Sequence, residues 1–122
     1  MLNGQCHCAN VSFTTDLLPT LLTDCNCSIC LRYGARWAHF RPEQVQVTVR
    51  QGSTRTYNSR GEHCIDFHHC PDCGCVTHYC TTDKADPAVA RVSINARMCP
   101  PDQVQGIQVR LFDGADRFVF LD

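Results

Sequence analysis

Short cysteine clusters constrain the fold of this chain more than any other feature. Seven of its eleven cysteines stand in three clusters: CHC at 6–8, CNCSIC at 25–30 and CPDCG at 70–74. Residues i and i+2 of an extended segment face the same side, so each C-x-C pair can present two thiols to one ion. The C-x-x-C pair predicts a tight turn in which Gly74 adopts the left-handed conformation. These spacings are typical of zinc ligation, and buried free thiols are the alternative interpretation.

Counting ligands predicts two different metal sites. A structural zinc takes four ligands, whereas a catalytic zinc keeps an open position. Two cysteine pairs complete one closed site, and the middle cluster supplies three thiols by itself. The sequence does not determine which pairs join, but the first and last clusters are the natural partners because the middle one is self-sufficient. The predicted ligands of two zinc ions per chain are Cys6, Cys8, Cys70, Cys73, Cys25, Cys27 and Cys30.

The start of the chain and its composition exclude several classes of protein. Eleven cysteines in 122 residues would also suit a disulfide scaffold. A disulfide scaffold needs an oxidising compartment, and the first residues show no signal peptide. The apolar runs are too short to cross a bilayer. The 11 lysines and arginines are scattered singly, so a nucleic-acid partner is not expected. The sequence predicts one cytoplasmic domain over residues 1–122 with no membrane contact.

Alternation of apolar and polar residues predicts a chain built mainly of β-strands. Asp113-Gly114, between two such runs, predicts a hairpin. One short helix is expected over Ser28–Tyr33, closed by Gly34, and a turn at 59–61. The predicted strands span residues 9–14, 45–49, 64–68, 75–79, 91–96, 107–112 and 117–121. The expected fold is all-β, with antiparallel sheets held together by metal.

The clusters and their flanking residues resemble the glutathione-dependent formaldehyde-activating enzyme family, which includes centromere protein V-like proteins. The match rests on GQCHC at 4–8, CNCSIC at 25–30 and FHHCPDCG at 67–74, with the tail segments VSINAR at 92–97 and FDGAD at 112–116. The resemblance covers nearly the whole chain. It implies the zinc-bearing β-tent (Mss4-like) fold, and it implies glutathione as a possible co-substrate.

The resemblance also implies roles for individual residues. A structural zinc would be held by Cys6, Cys8, Cys70 and Cys73, and a catalytic zinc by Cys25, Cys27 and Cys30. Family members often carry arginine directly after the last cysteine of the middle cluster, whereas this chain has Leu31 followed by Arg32. Arg32 and Arg97 are predicted to bind the substrate, since a guanidinium can grip a carboxylate with two hydrogen bonds. Other candidates for a pocket above the open zinc are Arg36, Trp37 and His39.

Some cysteines and histidines have a less defined role. Cys75 repeats the C-x-C spacing with Cys73 and is the rival candidate for a fourth ligand of the open site. Cys64, Cys80 and Cys99 are expected to be buried thiols. His68 and His69 adjoin Cys70, and an exposed position, or one beside the metal, is expected for them more than ligation. His7 should point away from the ion that its neighbours share.

An open site of three thiolates suits a fourth, incoming thiol. Zinc lowers the pKa of that thiol, and the resulting thiolate can attack an aldehyde carbonyl or leave a C–S bond in the reverse reaction. We therefore expect a carbon–sulfur lyase or thiol–aldehyde adduct enzyme whose partner is a small thiol or its adduct. One alternative is a non-catalytic, zinc-stabilised binding module with a fourth protein ligand on the second zinc. The other is a redox or metal-buffering protein, suggested by the total cysteine content.

Overall fold

The computed structural model describes residues 1–58 and 63–122, and the predicted turn at 59–61 lies outside them. Short strands dominate the described chain, with two short helices. The strands are β1 (Asn3–Gln5), β2 (Val11–Thr15), β3 (Leu21–Cys25), β4 (Trp37–Phe40), β5 (Val45–Val49), β6 (Arg55–Asn58), β7 (Ile65–His69), β8 (Val76–Thr81), β9 (Val92–Asn95) and β10 (Gln108–Phe112). The helices are α1 (Ser28–Tyr33) and α2 (Pro101–Val104).

The strands form two sheets. The smaller has the order β1-β2-β5, and the larger has the order β10-β3-β4-β9-β8-β7-β6. All pairs are antiparallel except β10, which runs parallel to β3. The predicted all-β fold is therefore confirmed, and the parallel pair departs from the antiparallel sheets expected. A parallel pair needs a long connection, which the chain between β3 and β10 supplies.

The hairpin predicted at Asp113-Gly114 forms only in part: the chain does turn back antiparallel, with the Leu121 N–H donating to the Leu111 carbonyl at 2.9 Å, but through a longer loop. After β10 the chain passes through turns, and it returns to the sheet only as an isolated bridge between Phe112 and Phe120. The Asp113 N–H donates to the Val119 carbonyl at 2.8 Å, and the Phe118 N–H donates to the Asp113 carbonyl at 2.7 Å. Phe118 has a φ of 59°, a left-handed conformation that interrupts the extended run.

Apolar side chains fill both faces of the larger sheet. One cluster packs between the two sheets and includes Phe13, Ile94 and Cys99. The opposite face carries a second cluster of aromatic residues, Trp37, Phe67 and Tyr79. The alternation along the strands separates the two faces because successive side chains point to opposite sides. Within the described residues, no helix has the length and apolar character that crossing a bilayer requires.

The predicted helix forms as expected. Cys27 caps its first turn by accepting a hydrogen bond from the Cys30 N–H, and Gly34 ends it at a φ of 62°. The Gly34 N–H donates to the carbonyls of Cys30 and Leu31. This left-handed position favours glycine, which is why the chain can turn directly from α1 into β4. The sharp turn brings Trp37 back over the cysteines of the middle cluster.

Candidate metal centres and active site

The thiols of Cys6, Cys8, Cys70 and Cys73 lie together, with all four sulfurs within 4.8 Å of one another. The first cysteine pair follows β1, and the second stands in the turn between β7 and β8. Gly74 has a φ of 79°, and its N–H donates to the Cys70 carbonyl at 3.0 Å, which closes this turn. The group thus joins the small sheet to the far end of the large one.

The four-thiol group has the dimensions of a zinc site. Sulfurs at about 2.3 Å from a tetrahedral zinc stand about 3.8 Å apart. The Cys6 and Cys8 sulfurs are 3.7 Å apart, and those of Cys8 and Cys70 are 3.5 Å apart. Backbone N–H groups point at the cluster: Val11 donates to Cys6 at 3.3 Å and Asp72 donates to Cys70 at 3.4 Å. The donor set therefore fits a tetrahedral, thiophilic metal ion.

The thiols of Cys25, Cys27 and Cys30 form a separate group, also within 4.8 Å of one another. Cys25 ends β3, Cys27 is the N-cap of α1, and Cys30 lies inside the helix. In the part of the chain that the structure describes, no other histidine, cysteine or carboxylate joins this group. The three sulfurs could hold a metal ion whose fourth position the protein leaves open.

Each sulfur of the three-thiol group accepts a hydrogen bond. The Cys27 N–H donates to Cys25 at 3.5 Å, and the Cys30 N–H donates to Cys27 at 3.5 Å. The Trp37 indole N–H donates to Cys30 at 3.3 Å. Such N–H···S contacts orient metal ligands and stabilise the thiolate form. Trp37, 2% exposed, is thus both a core residue and a neighbour of the site.

Gly114 closes the other side of this group. A Cβ on Gly114 would lie 2.5 Å from the Cys25 sulfur, so only glycine fits there. Asn26 holds the segment in place: its side-chain amide donates to Asp113 at 3.2 Å and accepts from the Ala115 N–H at 3.0 Å. The Asp-Gly pair therefore also docks the tail of the chain onto the cysteines.

The free thiols of the three-thiol group differ in pKa. A hydrogen bond from Cys30 lowers the pKa of Cys25 to about 5. The same contact, followed by burial, raises the pKa of Cys30. In the metal-free protein Cys25 therefore loses its proton more readily than Cys30. Binding of a metal ion releases the remaining thiol protons, so its affinity rises with pH.

A cavity of about 630 Å³ lies over the three-thiol group. Cys25, Cys27 and Cys30 all line it, together with Trp37 and Tyr79. None of the four cysteines of the other group is among the described residues that line it. The two thiol groups therefore differ in both ligand number and access, which matches the general contrast between closed structural sites and open catalytic ones.

The arginines predicted to bind substrate, Arg32 and Arg97, lie outside the lining of this cavity. Arg32 donates from Nη1 to the Ser28 carbonyl at 2.9 Å, and Arg97 donates from Nε to the Gly34 carbonyl at 3.3 Å. Neither is among the residues that line the cavity, and Arg36 is also absent from them. His39 does line it, as expected. So does Arg91, which the sequence did not single out because it stands apart from every cysteine cluster.

The four remaining cysteines lie in different parts of the fold. Cys75 packs beside Cys73 at the four-thiol group, so it is not near the open site. Cys99 lies in the core between the sheets, where burial raises its pKa to about 11. Burial also raises the pKa of Cys80. Cys64 lines the cavity, a placement that spacing along the chain gave no sign of.

A third group, His68, His78 and Cys80, has ligand atoms within 4.8 Å of one another. The two imidazoles are stacked, with ring centroids 4.4 Å apart and an angle of 12° between their planes. A nitrogen lone pair lies in its ring plane, so one ion cannot lie on the lone-pair axes of two parallel rings. Nδ1 of His68 bonds Thr54 at 2.7 Å, and Nδ1 of His78 bonds Thr77 at 2.7 Å. This group is a packing feature of the sheet.

Fold and sites together define a class of protein: a β-tent, Mss4-like domain with one closed thiol site and one that opens into a cavity. A crystal structure of a Rhodobacter sphaeroides protein has a similar fold, with a TM-score of 0.68 and 23% identity over 88% of this chain and 99% of that one. No curated protein matches the chain with significance. The family model described as glutathione-dependent formaldehyde-activating enzyme matches residues 1–106. The chain belongs to this family, which confirms the resemblance drawn from the sequence.

Proposed function

We propose that the protein is a zinc-dependent enzyme that forms or cleaves the C–S bond of thiol–aldehyde adducts. The reacting centre is the group Cys25, Cys27 and Cys30, and a second zinc on the four-thiol group is structural. The observation that carries the proposal is the difference in access: the three-thiol group opens into the cavity, and the four-thiol group does not. Membership of a family described by glutathione and formaldehyde supports thiol adducts as the class of substrate.

The proposed reaction is the addition of a thiol to an aldehyde, or its reverse. When bound, zinc supplies a Lewis-acidic position that accepts an incoming thiol as its thiolate, and three soft ligands favour sulfur there. In the forward direction the thiol sulfur adds to the aldehyde carbon, and the thiol proton ends on the carbonyl oxygen. In reverse the C–S bond breaks and the proton returns to sulfur. Glutathione, or a thiol like it, is the co-substrate that the family suggests.

The residues around the site support this chemistry in two ways. N–H groups of Cys27, Cys30 and Trp37 hold the three sulfurs in place. The apolar wall of the cavity, which includes Ile29 and Phe67, limits the water that would compete with the thiol for the aldehyde. A non-catalytic module would instead need a fourth protein ligand at this group, and none of the described residues offers one.

Cobalt substitution tests the proposal directly. Glutathione added to the cobalt protein should intensify the sulfur-to-metal absorption, and more strongly as pH rises, because binding releases the thiol proton. Formaldehyde and glutathione should then exchange with their adduct faster than in buffer, as measured by NMR on the zinc protein. Cys27→Ser should abolish both effects, whereas Cys80→Ser, which changes a thiol outside both sites, should keep them. A cobalt spectrum that no added thiol changes would refute the proposal.

A further inference from the structure

One end of the cavity carries an arginine without an acidic partner. Arg91 directly precedes β9, and its Nε donates to the Tyr79 hydroxyl at 2.9 Å. Among the described residues no carboxylate forms an ion pair with Arg91, whereas Arg36, Arg110 and Arg117 each have one. The hydrogen bond to Tyr79 fixes the guanidinium and leaves its terminal nitrogens without a protein acceptor in the described chain. A fixed guanidinium with free donors is suited to bind a carboxylate.

The other described residues that line the cavity include no second arginine or lysine. The described residues that line it include no aspartate or glutamate. His39 lies beside Tyr79, with its Nδ1 bonded to the Ser93 hydroxyl at 2.6 Å. Burial, and then the charge of Arg91, lower the pKa of His39 to about 4, so this imidazole is neutral at neutral pH. Arg91 is the one arginine or lysine of the described lining, and much of the remaining wall is apolar, as at Leu21, Ile65 and Phe112.

Tyr79 contacts both Trp37, which touches the thiol group, and Arg91. Trp37, which contacts the Cys30 sulfur, packs on Tyr79 with ring centroids 4.8 Å apart. The Arg91 guanidinium carbon lies 5.4 Å from the centre of the same ring. Trp37 and His39 face the cavity from alternate positions of β4, which places them roughly 6.7 Å apart along the strand. The three-thiol group and Arg91 thus line the same cavity and are linked through the Trp37 and Tyr79 rings.

We propose that Arg91 anchors the carboxylate of the substrate, and that the substrate class is a thiol with one carboxylate near its sulfur and an apolar body, or the aldehyde adduct of such a thiol. The inference rests on the proposed function and narrows its substrate. The described lining offers no further arginine or lysine to a second carboxylate and no aspartate or glutamate to an ammonium group. Glutathione, which carries both, consequently binds less tightly than a thiol monocarboxylate.

Paired ligands that differ only in charge test the anchor. On the cobalt protein, 3-mercaptopropionate should bind about ten- to a hundredfold more tightly than its amide, the range for hydrogen bonds to a charged group. Arg91→Gln should remove this preference while leaving the affinity for the amide unchanged. Arg91→Lys keeps the positive charge but loses the paired donors of the guanidinium, so it should retain part of the preference for the acid. Arg41→Gln, at an exposed arginine paired with Glu43, is the matched control and should keep the preference in full.

Two results would overturn the inference while leaving the proposed function intact. One is equal affinity of the acid and the amide for the parent protein. The other is an unchanged preference in Arg91→Gln. Glutathione binding more tightly than 3-mercaptopropionate would contradict the monocarboxylate class.

A ligand without a thiol separates the anchor from the metal chemistry. 3-Phenylpropionate should shift the backbone amide NMR signals of Tyr79 and Arg91 in the zinc protein, and Arg91→Gln should abolish the shift. This holds even if no thiol binds the metal, so failure of the proposed function and failure of the anchor give different results. Absence of any shift in the parent protein would refute the anchor. Unchanged melting curves for Arg91→Gln would show that the variant is folded.

Discussion

Gly114→Ala is the sharpest test of how the tail shapes the open thiol site. The added methyl carbon would lie 2.5 Å from the Cys25 sulfur and 3.3 Å from the Cys27 Cβ. Non-bonded carbon contacts settle at roughly 3.5–4.0 Å, so the sulfur or the tail must move by about 1 Å. Zinc–ligand distances hold within about 0.2 Å. We therefore expect metal binding at this site to weaken about 10- to 100-fold, the range for disturbed neighbours of metal ligands.

The assay is a two-site metal titration against a chelator of known affinity. In Gly114→Ala the affinity of the three-thiol site should fall, while the four-thiol site keeps its affinity. The matched control is Gly106→Ala, because Gly106 has a φ of 85° and no atom within 4 Å of an added Cβ. The control strains the backbone by about 1–2 kcal/mol, so its melting temperature falls by several degrees with both affinities unchanged. Two metal sites of parental affinity in Gly114→Ala would refute the docking of the tail on Cys25.

Two further predictions separate the thiol groups and the tail contact. Cys73→Ser should cost up to about 4 kcal/mol in stability, as expected for losing a cross-link across the 62 residues between Cys8 and Cys70. Cys27→Ser should lose metal from the open site yet melt close to the parent, and equal melting of the two variants in circular dichroism would contradict the division. Asn26 and then Arg117 lower the pKa of Asp113 below 3.8, so its carboxylate stabilises the fold above that pH and loses this effect as pH falls. In denaturant unfolding, the unfolding free energies of the parent and Asp113→Asn should differ fully at pH 6. The difference should shrink below pH 4.

The cysteine spacing carried most of what the sequence could predict. Ligand spacing along the chain is a local property, so it located both thiol groups and the helix over Ser28–Tyr33 that holds the second. No comparable signal marks β3 and β4, whose residues show no clean alternation. Both strands pack side chains on the two faces of the large sheet: Leu22 and Ala38 lie in the core between the sheets, and Cys25 and Trp37 lie on the cavity side. A strand buried on both faces does not alternate.

The predictions failed where long-range contacts decide the structure. Asp113-Gly114 has the composition of a tight hairpin turn, yet the chain returns only through a longer loop, and Asn26, far earlier in the chain, bonds Asp113. Arg91 gave no signal because its significance depends on a cavity assembled from distant strands and on Tyr79. Local patterns report neither kind of contact, since both are created by the fold itself.

The distance along the chain between Cys25 and Gly114 has a consequence for synthesis. The four-thiol site has all its ligands once Cys73 has left the ribosome, so metal can bind there while the chain is still growing. The open site has its three cysteines much earlier, but β10 and Gly114 reach them only after nearly the whole chain has emerged. Until then those cysteines lack both the strand beside β3 and the close contact that limits the position of Cys25. The order of the sequence therefore completes the four-thiol group before β10 and Gly114 can close the three-thiol group.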